Sequence, residues 1–306
     1  MTTKQQSILP FQMEAMPSSD ALTSHAGLPL VAETMRALGL EQAARDHLHL
    51  QQRNAGLSDY QKIESVVLLM AAGGDGYDDM ALLRADAGLQ RLLGYRLPSP
   101  DSLRCFANAF HDEQLIVQAK AHLRPPAVAF IPAESEQLIA LATINIALCH
   151  AVAAQGNSKT ATLDHDATIQ ESHKQQAMPH YKGGVGYQPV AMYWAEQDLV
   201  IADEYRDGNV PAGMDNLPLI RRSFQSLPAS VTKLFFRADS ACYEHGVLRW
   251  LADDARHDGP SGRIGFTISA DMTTELHHAC AMVPEQQWQL VDDPNCTKSS
   301  PLDEVQ

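Results

Sequence analysis

Apolar positions along the chain follow two different periods, and the change from one to the other divides it. After Gly27, Leu30, Val31, Met35, Leu38 and Leu40 recur at helical spacing, with Gly39 placed to end that helix. Ile63, Val66, Val67, Leu69 and Met70 predict a strongly apolar helix over 59–72, stopped by Gly73 and Gly74. A shorter amphipathic helix is predicted from Asp78 to Leu93. Pro100 forbids its continuation, and a serine or aspartate there can cap the next helix, which holds Leu103, Phe106, Ala107 and Phe110. Arg124-Pro125-Pro126 and Ile131-Pro132 punctuate a linker, and Leu138 to Ala154 reads as a buried helix. Short helices joined by tight turns fit a helix-turn-helix layout, but a plain helical bundle accounts for them better.

Beyond Gly156 the period drops to two. Ala161 to Thr168 predicts a strand, Val190 to Trp194 and Leu199 to Tyr205 two more, and Leu234 to Asp239 a fourth. A helix carrying Leu217, Ile220, Phe224 and Leu227 precedes the fourth strand. Another covers Val247 to Asp254, and Arg263 to Ser269 gives a fifth strand. The order β, ββ, α, β, α, β predicts an α/β sheet with an antiparallel portion and helices on its faces. Gly183, Gly184 and Gly186 form a turn feeding Val190; the Gly-Lys-Ser/Thr ending of a phosphate loop is missing. Trp194 and Trp250 read as core aromatics.

Composition narrows the function classes. At 306 residues and 45% hydrophobic content there is material for two domains and a substantial core. A net charge of −14 argues against simple nucleic-acid binding, unless cations cluster on one face or are supplied from elsewhere. The cysteines, Cys105, Cys149, Cys242, Cys280 and Cys296, form no close pair, which argues against a zinc ribbon or a disulfide scaffold. The histidines lack helical ligand spacing with an acidic partner. No uncharged apolar run reaches membrane-spanning length, and the first residues lack the apolar core of a secretory signal, so a cytoplasmic location is expected.

The candidate chemistry lies at two strand ends. Asp164 and Asp166 are two apart and so project from one face of a strand, with His165 on the other. Asp239 closes the strand begun at Leu234. Two carboxylate-bearing strands from distant parts of the chain suit Mg²⁺ or Mn²⁺, which prefer hard oxygen ligands and keep waters for a substrate. The same residues also fit a simpler account: Asp239 as the N-cap of the following helix, Asp164 and Asp166 in a turn with Thr168.

Leu163-Asp164-His165-Asp166-Ala167-Thr168, Gly184-Val185-Gly186-Tyr187-Gln188-Pro189, Arg206-Asp207-Gly208-Asn209 and Phe236-Arg237-Ala238-Asp239-Ser240, in this order, resemble the DDE transposases of the IS1380 group, relatives of the IS4 class. Each motif is weak alone; the ordered set is specific, and the likeness covers most of the chain. The resemblance implies a ribonuclease H-like mixed sheet core preceded by an all-helical, DNA-binding N-terminal domain. It implies Asp166 as the first metal ligand, with Asp164 a close second, and Asp239 as the next acid. It also implies a pair of Mg²⁺ (or Mn²⁺) ions, cutting double-stranded DNA at insertion-sequence ends and transferring the strand. Arg237, Arg206, Lys182 and Lys174 are then candidate phosphate contacts, Lys174 more weakly.

On this basis the expected organisation is a flexible arm at 1–24, a helical domain at 25–124, a linker and helix at 125–158, the catalytic core at 159–290 and a polar tail at 291–306. The family's third acid, a glutamate on a later helix, has no match: Glu275 and Glu285 come too soon and lack the setting. The expectation is therefore a shortened transposase, impaired in catalysis, with a second copy or a full-length transposase as protein partner. Two alternatives stand beside it, a non-catalytic DNA-binding or regulatory fragment and an unrelated Mg²⁺-dependent nuclease or phosphatase.

Overall fold

The computed structural model describes residues 22–50, 56–156, 158–270 and 272–288. The expected polar tail, and all but the last three residues of the expected arm, lie outside them. Seven helices come first: α1 (Leu28–Ala37), α2 (Leu40–His47), α3 (Asp59–Ala71), α4 (Met80–Ala85), α5 (Ala87–Leu93), α6 (Pro100–Asn108) and α7 (Glu113–Ala121). Their ends follow from local chemistry. Gly39 turns the chain between α1 and α2 at φ +89°, a left-handed conformation that costs glycine little. Ser58 and Gln61 cap α3 reciprocally, and Ser99 caps α6 with Pro100 in its first turn, where no backbone donor is lost.

The single helix predicted over 78–93 is instead a short 3-10 turn, α4 and α5, broken at Asp86. Asp86 is extended at φ −80°, ψ 97°, and its Oδ1 accepts from Leu89 N at 2.8 Å. Its Oδ2 takes Thr23 Oγ1 at 2.6 Å and pairs with His25 Nδ1 at 3.0 Å. These long-range partners favour a cap over continued helix. Apolar spacing predicted neither α2 nor α7.

α8 (Glu136–Gly156) joins the two halves. Its Ile144 is buried with Leu40, Leu68, Met80, Leu89 and Leu103 in the helical core. One turn on, Cys149 and Ala153 join a second core with Leu163, Trp194, Ile220 and Phe236. A helix that serves two cores needs apolar residues on more than one face, which explains its weak amphipathicity. It is the one helix among the described residues long and apolar enough to cross a membrane. The expectation of a buried helix holds only in part, because Leu138, Ile139 and Leu141 are exposed.

The rest is β1 (Thr160–Ala167), β2 (Gln170–Glu171), β3 (Met178–His180), β4 (Gly184–Tyr187), β5 (Val190–Trp194), β6 (Leu199–Glu204), α9 (Asn216–Gln225), β7 (Lys233–Ala238), α10 (His245–Ala252), β8 (Ile264–Ile268) and α11 (Thr274–Ala281). The main sheet has the order β6-β5-β1-β7-β8. β5 runs antiparallel to β1 and to β6, whereas β7 runs parallel to β1 and to β8. The architecture is thus mixed α/β, as the alternation predicted. Leu163, Met192, Trp194, Phe236 and Ile264 point to one face and pack with α9 and α10 through Ile220, Phe224, Val247 and Leu251. Trp194 and Trp250 are both buried.

A second, three-stranded sheet, β2-β4-β3, leaves the C-terminal end of β1. The segment expected to be only a glycine turn supplies β4. Gly186 permits this sheet, since a Cβ there would lie 2.3 Å from Gln170 O.

Candidate active site

The two strand-end aspartates meet through the parallel register of β1 and β7. Asp164 stands beside Arg237 and His165 beside Ala238, so the next positions along both strands are Asp166 and Asp239. Asp239 keeps an extended backbone, φ −78° and ψ −173°, and so continues the alternation of β7. Buried Ala161, Leu163 and His165 occupy the core face of β1, which puts Thr162, Asp164 and Asp166 on the opposite face. Phe236 likewise faces the core, which leaves Phe235, Arg237 and Asp239 with the acids. Neighbouring strands lie about 4.8 Å apart, close enough for two carboxylates to share an ion. Across β1 on the other side, the residue opposite Asp166 is small Ala191, which leaves the face open there.

The acids differ in what already occupies them. Asp164 is taken: Arg237 donates Nε to Oδ1 and Nη2 to Oδ2, both at 2.6 Å. This bidentate pair changes the expectation for both residues. It takes one acceptor site on each Asp164 oxygen and engages the guanidinium edge that would meet a phosphate. Asp166 is exposed, with Thr168 Oγ1 3.4 Å from its Oδ2. Asp239 is exposed, and its Oδ1 accepts from Ala241 N at 3.0 Å, capping the 3-10 turn Ser240–Cys242. The simpler sequence account, Asp239 as a cap, is therefore true as far as one oxygen goes. The donor set suits a divalent cation: hard oxygens on one open face, with no basic side chain among the described residues bonded to either carboxylate. Among the described residues, no group of three or more His, Cys, Asp or Glu is arranged to hold a metal.

Of the candidate cations, Lys182 and Lys174 are exposed on the small sheet and its loops. The Lys182 ammonium lies 5.7 Å from the centre of the Tyr181 ring. Arg206 is buried, which removes it from the cations a phosphate could reach in this conformation. Its Nε donates to Glu204 Oε1 at 2.5 Å, and its Nη1 to Met214 O at 2.7 Å and Asn216 Oδ1 at 3.0 Å.

The four sequence motifs converge here. Gln188 N donates to Arg206 O at 2.8 Å, and Gly208 N to Gly186 O at 3.1 Å. A Cβ on Gly208 would lie 2.5 Å from Met178 O, so the crossing requires glycine. Asn216, which the sequence did not single out, completes the chain of contacts: its Nδ2 donates to Ala241 O at 3.3 Å and approaches Cys242 Sγ at 3.6 Å. Nothing in its sequence context marks it beyond its place at the start of a helix. Burial holds the His165 imidazole below its ordinary pKa, reinforced by the Arg206 charge, so the core beneath the acids carries a neutral ring. Burial, with the Asp239 charge, pushes the Cys242 thiol up to about 12 and keeps it protonated.

A family model described as transposase DDE domain, group 1, matches residues 10–294. The chain also resembles a structure described as the cryo-EM structure of a piggyBac transposase synaptic complex with hairpin DNA. The identity is 11% and the TM-score 0.38, over 84% of this chain and 54% of that one. This chain thus spans about half the length of that transposase. No curated protein matches it.

Proposed function

Because the chain belongs to the group 1 family of transposase DDE domains, we propose that it acts on double-stranded DNA at the Asp166–Asp239 face, with a divalent cation held there against a phosphodiester. The observation that carries this reading is the parallel register of β1 and β7, which continues to that pair on one open face. Asp166 and Asp239 would hold the ion, and Mg²⁺ or Mn²⁺ would supply Lewis acidity for in-line attack by water or a 3′-hydroxyl. Asp164 fixes Arg237 instead. Lys182, exposed in the turn between β3 and β4, is the preferred phosphate contact.

The finer assignments belong to the same proposal. A ribonuclease H-like core is supported by the strand order β6-β5-β1-β7-β8, three strands in antiparallel succession followed by two parallel to the first. The separate hydrophobic core of α1 to α6, joined by Ile144 of α8, supports an N-terminal helical domain, to which we assign the DNA grip. Membership of the IS1380 group rests on the motif resemblance. A regulatory, DNA-binding role without catalysis is the second reading, favoured because no group of three or more His, Cys, Asp or Glu among the described residues is arranged to hold a metal.

The test is Mg²⁺-dependent nicking of DNA carrying candidate element ends. The proposal expects slow nicking that disappears in Asp166→Asn and Asp239→Asn. Nicking indifferent to Asp239→Asn contradicts it, and selective end binding at fixed salt without any nicking supports the regulatory reading.

A further inference from the structure

We infer that Asn216, held by Arg206, is the positioning residue for Asp239; the inference rests on the reading that Asp239 is a cation ligand. A 3-10 turn of three residues has little stability of its own. The one following β7 carries no buried side chain except Cys242, yet it decides where the Asp239 carboxylate points, because Oδ1 is committed to Ala241 N. What fixes the turn comes from below. Asn216 Nδ2 donates to Ala241 O, the carbonyl of the same residue whose N–H holds Asp239, and also reaches Cys242 Sγ. A third contact, to Ala212 O at 2.9 Å, ties this amide to the loop before α9.

The other end of the Asn216 amide is fixed as well. Arg206 Nη1 donates to its Oδ1, which sets the amide so that Nδ2, and not the oxygen, meets the turn. Arg206 is oriented in turn by Glu204 and by Met214 O. The path from β6 to the acid is therefore Glu204, Arg206, Asn216, Ala241, Asp239. Both Arg206 and Asn216 are 2% exposed, so water does not compete for these bonds. Gly213 adds a steric wall: a Cβ there would lie 3.0 Å from Ala241 O.

Asn216→Asp separates this role from general support of the fold. The carboxylate still accepts from Arg206 but can donate neither to Ala241 O nor to Ala212 O, so the links to the turn and to the loop before α9 are cut while the Arg206 link is kept. The probe is Mn²⁺, titrated into the full chain and followed by the paramagnetic resonance of the free ion, with Asp239→Asn defining which binding belongs to this site. We expect roughly tenfold weaker Mn²⁺ binding at that site, the scale of a lost outer-shell partner, with the metal-free melting midpoint near that of the parent. Cys242→Ala, a small apolar replacement that removes only the sulfur contact, is expected to weaken Mn²⁺ less than Asn216→Asp does. Parent-like Mn²⁺ affinity in Asn216→Asp, with Asp239→Asn weakened, overturns the positioning role and leaves the ligand reading intact. Parent-like affinity in Asp239→Asn overturns both. Should Asn216→Asp melt far below the parent, unchanged Mn²⁺ affinity in Cys242→Ala also counts against the proposal.

Discussion

Glu64 in the helical half and Asp166 with Asp239 in the sheet show two opposite treatments of a carboxylate. Glu64 has no exposed surface, and four donors converge on it. Arg36 supplies Nε at 2.9 Å and Nη2 at 2.8 Å, Tyr60 its hydroxyl at 2.8 Å and Tyr95 its hydroxyl at 2.9 Å. Burial and the Glu64 charge push the Tyr60 hydroxyl up to about 12 and the Tyr95 hydroxyl higher still, so both stay protonated and able to donate. Every lone pair of Glu64 is committed within the protein. Asp166 and Asp239 are exposed, placed by backbone register, and keep oxygens uncommitted. A saturated buried acid builds the fold, whereas an open pair at neighbouring strand ends has coordination left to offer. Asp164 lies between the two cases, on the open face but already claimed by Arg237.

If that contrast is sound, the same chemical change should have different consequences in the two places. The largest effect is expected at the open pair. Asp166→Asn or Asp239→Asn should reduce nicking by about a thousandfold, roughly 4 kcal/mol of transition-state stabilisation, while the melting midpoint stays within a degree or two. A loss of folding instead would make these acids structural and break the comparison. Glu64→Ala should do the reverse, lowering folding stability by about 3 kcal/mol as Arg36, Tyr60 and Tyr95 lose their shared partner. Denaturant unfolding reads that change.

Asp164→Asn sharpens the middle case. Its ion pair with Arg237 is half exposed, so the stability change should be below about 1 kcal/mol. Mn²⁺ affinity should be little altered if Asp164 is not a ligand. The last case is a pH dependence at Asp86. Burial alone would raise its pKa, but hydrogen bonds from Thr23, His25 and the Leu89 N–H outweigh it and hold the carboxyl at about 2. A depressed carboxyl stabilises the fold fully above its unfolded value near 4 and loses that contribution as the pH falls through 2. Asp86→Asn, which can still cap α5, should therefore differ most from the parent at pH 5 and least near pH 2, in melting curves taken across that range.

The order of the sheet half was legible because its strands and helices carry clean periods of two and of three to four. The shared face of Asp164 and Asp166 followed from spacing alone. The small sheet was not legible: its strands are two to four residues long, rich in glycine, proline and histidine, and exist because Gly186 and Gly208 let backbones cross. The burial of Arg206 was hidden for a related reason. An arginine in a polar loop reads as a surface cation until distant Asn216 and Met214 O supply its partners. The break at Asp86 escaped because Thr23 and His25, which favour it, lie more than sixty residues away.

The most direct test is an anomalous difference map from crystals grown with Mn²⁺. Our account predicts a peak at metal–oxygen bonding distance from both the Asp166 and the Asp239 carboxylates, with Asp164 still on Arg237. A peak bonded to Asp164 in place of this pair, or no peak at Mn²⁺ concentrations that support nicking, would contradict it.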